Sequence, residues 1–273
     1  MLTSALGRAA FAHVLCACLA SATPFAHAQS AEPPELWPRL ARDIFQNRAM
    51  TAGEQTIALL APNHADDSST VPMKIELQAS TATVRRVTLV IDQNPSPMAA
   101  SFTIGANSGL SMIAMRVRVN DYTHVHAVAE MATGKLEVVD RYVKAAGGCS
   151  APSAKNMDEM ASNMGKMKFR DIAAADLVST RRREAQIMIR HPNHSGLQMD
   201  LATGRYIPAR YVDRLVVRQG DDLVFEMTGG ISISEDPNFR FTYIPNGAKS
   251  MSVEAHDSDG STWKAQYPIV DAS

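Results

Sequence analysis

Three cysteines occur in the chain, and only Cys149 lies beyond the first thirty residues, which hold Cys16 and Cys18. It stands in KAAGGCSAPSAK, residues 144–155, behind Gly147 and Gly148 and just ahead of a proline. Cysteine is usually a buried residue type, yet this segment is short of large apolar neighbours. A thiol so placed reads as a nucleophile. The thiolate is the attacking form, and local charge sets how much of it exists near neutral pH. Lys144 and Lys155 flank the loop, and a helix starting near Asn156 brings its positive end close behind. These features predict an accessible, readily ionised sulfur able to carry a sulfenate, persulfide or thiosulfonate. They do not predict an enzyme, because a nucleophile that completes a reaction needs a positioned base and oxyanion donors. Neither stands beside Cys149. The expectation is a non-enzymatic carrier. Cys149 is its covalent attachment point, Gly147 and Gly148 are the swinging loop that enters a cleft of another protein, and no cofactor or metal is needed.

Other groups have a chemical reading. His191 and His194 in HPNH have three-residue spacing across a proline, which reads as a loop between strands with metal ligation as the alternative. His124 and His126 in HVH fall on one face of a strand, where copper or zinc could bind if a third ligand joined them. Met157, Met160, Met164 and Met167 form a helical stripe. It reads as an apolar face filling gaps against a sheet, or as a soft thioether site for copper(I). DSDG, at Asp257, hints at calcium but lacks the remaining positions of a binding loop and reads as a hairpin turn.

The compartment follows from the amino terminus. Arg8 precedes an apolar run over residues 9–22, and Ala26-His27-Ala28 supplies a small-x-small cleavage pattern. This reads as a secretory signal, residues 1–28, removed after Ala28, and so as export to the bacterial periplasm. Lipid attachment at Cys18 is the alternative. The apolar run is too short for a membrane span, and no later stretch approaches one. Cleavage leaves Cys149 unpaired where disulfides form readily, so a disulfide-linked homodimer in air is expected. The formal net charge is −1 with no long basic or acidic run, which gives no support to nucleic-acid or anionic-membrane binding. Arg181-Arg182-Arg183 reads as a solvated strand edge.

The elements that must position Cys149 have a period of two. VPMKIELQ, VRRVTLVID, MIAMRVRVN, HVHAVAEM and KLEVVDRYV precede the cysteine. EAQIMIRHP, VDRLVVRQ, DDLVFEMT, NFRFTYIP, MSVEAHD and WKAQYPI follow the gap, with turn signals between. This predicts an all-β fold of two β-sandwich domains, over residues 29–144 and 171–273. The first has an amino-terminal amphipathic helix with Leu36, Leu40 and Ile44 on one face. Between the sandwiches, residues 145–170 form a Gly-rich loop and a short helix reaching Phe169, so that Cys149 lies on a hinge.

The segment with NPSPMAASFTIG and RYVKAAGGC resembles SoxY, the covalent carrier subunit of the periplasmic thiosulfate-oxidising system. IRHPNHSGLQMD, YIPARYVDRLVV, SISEDPNFRFTY and HDSDGSTWKAQYPI, in that order, resemble its partner subunit SoxZ. The whole is similar to fused SoxYZ-like carriers associated with quinoprotein dehydrogenases. The resemblance implies immunoglobulin-like sandwiches, an interface role for the HPNH motif, and a cysteine that holds thiosulfate-derived or sulfane sulfur. It implies periplasmic sulfur-oxidising enzymes and cytochromes, or a pyrroloquinoline-quinone (PQQ) dehydrogenase, as partners. One departure stands out. In SoxY the cysteine lies in a GGCGG that ends the chain, whereas SAPSAK follows here. A loop tied at both ends projects on the order of 15 Å at most.

Overall fold

Residues 36–78, 83–152, 162–172 and 182–269 are described by the structure, a computed structural model. The signal-like segment 1–28 lies outside them, with Cys16, Cys18, Met157, Met160 and Arg181. Among the described residues there is one helix, α1 (Trp37–Phe45), and seventeen strands. Before Cys149 come β1 (Met50–Ala52), β2 (Ile57–Leu60), β3 (Val71–Leu77), β4 (Val84–Ile91), β5 (Met98–Ile104), β6 (Met112–Val117), β7 (Thr123–Met131) and β8 (Leu136–Val143). After it come β9 (Met167–Ile172), β10 (Arg183–Ile189), β11 (Met199–Asp200), β12 (Arg205–Tyr206), β13 (Val212–Gln219), β14 (Asp222–Gly229), β15 (Asn238–Tyr243), β16 (Ser250–Asp257) and β17 (Thr262–Pro268).

The all-β sandwich class is as the alternation implied: β3 and β16, for instance, bury every second side chain. A nine-stranded sheet has the order β1-β8-β7-β4-β5-β14-β13-β16-β17, and a six-stranded sheet the order β2-β3-β6-β15-β10-β9. Each sheet draws on both halves of the chain. The seams are β5 against β14, with Phe102 opposite Met227, and β6 against β15, with Ala114 opposite Arg240. A lone sandwich would leave the N–H and C=O groups of β5 and β6 unpaired at an edge, and the second half covers both. One core joins the halves, and Phe102 meets Phe225 and Phe239 edge-on across the seam at 5.9 and 6.2 Å. Each such ring contributes about 1.5–3 kcal/mol through burial. The segment carrying Cys149 is therefore no hinge between independently moving bodies.

Two helices were expected, and they fare differently. Leu36 at the N-cap of α1 and Leu40 and Ile44 within it are half-buried along one side, and Trp37 stacks on His126 at 3.8 Å. The helix expected to run to Phe169 does not. Ser162 and Asn163 are helical, Met164 and Gly165 form a turn, and Met167–Ile172 is strand β9, paired antiparallel with β10. Gly165 (φ +77°) turns the chain against the indole of Trp263, where a Cβ would come within 2.0 Å. Met167 therefore leaves the methionine stripe and packs on the core as a strand residue.

Candidate functional site

The cysteine turn is seated against the stretch that continues β6. The Gly147 N–H donates to the Asn120 carbonyl at 2.7 Å, and the Gly148 N–H to the Val119 carbonyl at 3.1 Å. Val119 in turn donates to the Ser68 carbonyl at 2.9 Å, and Lys144 to that of Asn63 at the same distance. Gly147 has φ +73°, which favours glycine. A Cβ on Gly148 would lie 2.1 Å from the Ser68 carbonyl oxygen and 2.5 Å from that of Val119. The glycines serve close backbone packing here. They do not form a swinging arm.

The other half of the chain closes over the turn. The segment 190–198, between β10 and β11, brings the Ser195 hydroxyl to donate to the Cys149 carbonyl. The Gln198 side-chain amide donates to the Ala151 carbonyl at 2.8 Å. Beneath lies Arg118, 1 % exposed, donating Nη1 to the Gly148 carbonyl at 3.2 Å and Nη2 to the Asn193 carbonyl at 3.4 Å. Its guanidinium thus joins the cysteine turn to the covering segment. Its Nε is buried and, among the described residues, without a partner.

The thiol differs from the expectation in two respects. Cys149 is 0 % exposed, not accessible. Burial pushes its pKa up to about 11, and the nearby positive charge of Arg118 only partly offsets this. Among the described residues no hydrogen bond reaches its sulfur. Loss of water from the thiolate, and not the charge of its sequence neighbours, sets the direction of the shift. A disulfide with a second copy likewise requires the turn to open first.

The HPNH motif supplies the covering segment. His191 Nδ1 lies 2.7 Å from Asn193 Oδ1 and 3.0 Å from the Asn193 backbone nitrogen, and its Nε2 pairs with Asp257 at 3.4 Å. His194 pairs its Nδ1 with the Gln198 amide at 3.1 Å. Burial lowers the pKa of both rings, His191 and His194. Asn193 is 0 % exposed in a left-handed conformation (φ +44°), donates Nδ2 to the Ile233 carbonyl, and accepts from Val212 N–H. Asp257 of DSDG is the anchor. Its Oδ2 accepts from Arg210 Nε at 2.7 Å, its Oδ1 accepts the Ser261 N–H of its own turn, and the Arg210 N–H donates to the His194 carbonyl. The two histidines therefore position the cover and do not converge on a common point.

Elsewhere, His124 and His126 share a face as expected, each with its own carboxylate: Asp140 at 2.9 Å and Asp92 at 3.2 Å. Among the described residues no three His, Cys, Asp or Glu side chains converge as a metal site. Arg182 and Arg183 are not a solvated edge. Arg182 Nε donates to the Gly109 carbonyl at 3.2 Å, and Arg183 pairs with Asp171 at 2.5 Å.

Arg118, Ser195 and Gln198 were not singled out by sequence reasoning. In MIAMRVRVN the period-two pattern puts Arg118 on the outward face with Arg116. Arg118 is buried because residues from 75 positions onward lie over it, as its bond to Asn193 illustrates. No local signal marks such a position.

Residues 41–149 match the family profile described as sulfur oxidation protein SoxY, and residues 174–268 that of sulphur oxidation protein SoxZ. The SoxY match ends on Cys149, and the SoxZ match contains the whole covering segment. No curated protein matches the chain significantly. Among solved structures, the superoxide reductase (neelaredoxin) from Ignicoccus hospitalis is 11 % identical, covers 33 % of this chain and 79 % of its own, and has a TM-score of 0.30. A β-glycosidase from Bacteroides vulgatus is 11 % identical over 84 % of this chain and 26 % of its own, with a TM-score of 0.25. Superpositions this loose carry no information on chemistry.

Proposed function

Because the chain joins a SoxY-family segment to a SoxZ-family segment in one polypeptide and so ranks among sulfur-oxidation proteins, we propose that it is a periplasmic, non-enzymatic carrier holding a sulfur intermediate covalently on Cys149. The observation that carries this reading is the placement of Cys149: the closing residue of the SoxY segment is enclosed by the SoxZ segment through Ser195 and Gln198, while Arg118 of the SoxY segment bonds both the cysteine turn and the cover. A redox-neutral loading step suits such a site. The Cys149 thiolate attacks the outer sulfur of a persulfide donor R–S–SH, the Cys149 S–S bond forms, and the donor's S–S bond breaks with R–S⁻ leaving. Conjugation of thiosulfate to the thiol instead releases two electrons, which a partner cytochrome must accept, and a proton, which passes to water. The closed turn keeps water from the loaded sulfur, and partner enzymes meet it when the turn opens.

The experiment is intact-mass spectrometry of the native protein, beside Cys149→Ser, after exposure to tetrasulfide, and to thiosulfate with an electron-accepting cytochrome. The reading expects a mass gain confined to the chain with Cys149. A wild-type protein left unmodified by both treatments would sink it. The burial of Cys149 favours a second reading, an accessory binding protein of a PQQ-dependent dehydrogenase without covalent cargo. Dehydrogenase-linked growth fully retained by Cys149→Ser would favour that role.

A further inference from the structure

Arg118 is a buried cation whose position packing alone does not explain. It lies at the end of β6 with 1 % of its surface exposed. Two of its nitrogens make long hydrogen bonds, 3.2 Å to the Gly148 carbonyl and 3.4 Å to the Asn193 carbonyl. The third, Nε, is buried and unpartnered among the described residues. An unsatisfied donor on a buried guanidinium is costly, because hydrogen bonds to charged groups are the strong ones and leaving one unmade forfeits the solvation of that group. One of its bonds goes to the residue immediately before Cys149. Of the groups that raise its pKa against the lowering by burial, Cys149 is the largest, ahead of Glu235 and Asp67. A neutral thiol does not need this arrangement. A sulfur bearing negative charge does.

We propose that Arg118 is the anion-recognising residue of the carrier: it positions a negatively charged adduct on Cys149, a persulfide or a sulfonate-terminated one, and discriminates against neutral adducts of the same size. This rests on the covalent-carrier reading. The guanidinium accepts the adduct's charge through its free Nε–H and exchanges its two long carbonyl bonds for shorter charge-assisted ones. Asp67 and Glu235 act against the adduct's charge, and His194 has its pKa lowered, so it is uncharged near neutral pH. Arg118 is therefore the cation on which the adduct depends.

The test compares two nearly isosteric adducts on the full protein. Tetrasulfide gives the persulfide anion: Cys–S⁻ + S₄²⁻ → Cys–S–S⁻ + S₃²⁻, with one S–S bond made and one broken. Methyl methanethiosulfonate gives the neutral methyl disulfide. The rate at which a neutral phosphine strips each adduct is followed by intact mass in wild type, Arg118→Met and Arg118→Lys. The proposal expects Arg118→Met to shorten the lifetime of the persulfide about tenfold relative to that of the methyl disulfide, with Arg118→Lys recovering most of the ratio. Equal acceleration of both adducts would make Arg118 only a tie between the two segments and overturn the proposal. A wild-type protein that takes methyl disulfide but no persulfide overturns the carrier reading as well, which separates the two failures. Should Arg118→Met not fold, the wild type alone decides. Absorbance titration of the loaded protein must show the persulfide anion persisting to lower pH when folded than in denaturant, and the reverse order refutes the proposal.

Discussion

Removal of the Ser195 hydroxyl tests whether the cover governs the thiol. In the closed state this hydroxyl donates to the Cys149 carbonyl and accepts the Leu197 N–H at 3.2 Å. Ser195→Ala leaves that buried carbonyl without this donor and costs the closed state about 1–2 kcal/mol. The open state, in which water replaces the hydroxyl, is nearly unaffected. The opening equilibrium therefore rises roughly 5- to 30-fold. A fully enclosed thiol reacts only from the open state, so the rate of alkylation by iodoacetamide at pH 8 should rise by the same factor, and disulfide dimers should form in air faster than in wild type. Ile113→Val, a cavity variant on the buried face of β6, costs about 0.5–1.5 kcal/mol without touching the cover and serves as the control. Equal alkylation rates in wild type and Ser195→Ala would refute the reasoning. So would an equal acceleration in Ile113→Val, which would mean that reaction proceeds through global unfolding.

The pH dependence of stability provides another check. The Cys149 thiol titrates at about 11 when folded and near 8.5 when unfolded. Folding thus retains a proton that the unfolded chain has lost, and stability contributed by this group is complete below about 8.5 and lost as pH rises through 11. Urea midpoints at pH 7.5 and 10.5 should show wild type losing about 2 kcal/mol more than Cys149→Ser, and equal losses would show that the thiol is not buried. At the other extreme, the lowered pKa values of His191 and His194 give stability that is present above about 6.5 and falls as pH drops below it. His191→Asn should flatten that acid limb; an unchanged limb would show that His191 is not kept neutral by burial. Gly148→Ala must push apart backbone packed within 2.1 Å of the added carbon. It should unseat the cysteine turn, at a cost of about 1–3 kcal/mol by the measure of overpacking, and expose Cys149 to alkylation. A Cys149 that stays protected in this variant would contradict the seating described above.

Much of the molecule is legible in its residues. Alternation in MIAMRVRVN and MSVEAHD determines strands and their buried faces, because a period of two leaves one face of a sheet for the core. Turn pairs such as Asn246-Gly247 separate the strands, and the HPNH and DSDG segments carry the SoxZ likeness by local composition. The candidate thiol was legible too, as the one cysteine beyond the signal-like first thirty residues. Its state was not. Flanking glycines and lysines imply an open, ionisable sulfur only if nothing lies over them. Ser195, Gln198 and Arg118 enclose it from 31 to 49 residues away in the chain. The seams at β5–β14 and β6–β15 bring Ser195 and Gln198 there, and those pairings are invisible to any window of sequence. Sequence alone thus determined which atom could carry sulfur, since that follows from residue type. Only the tertiary structure decided that the atom is buried, protonated and beside an arginine, since exposure and charge depend on what the rest of the chain folds over it.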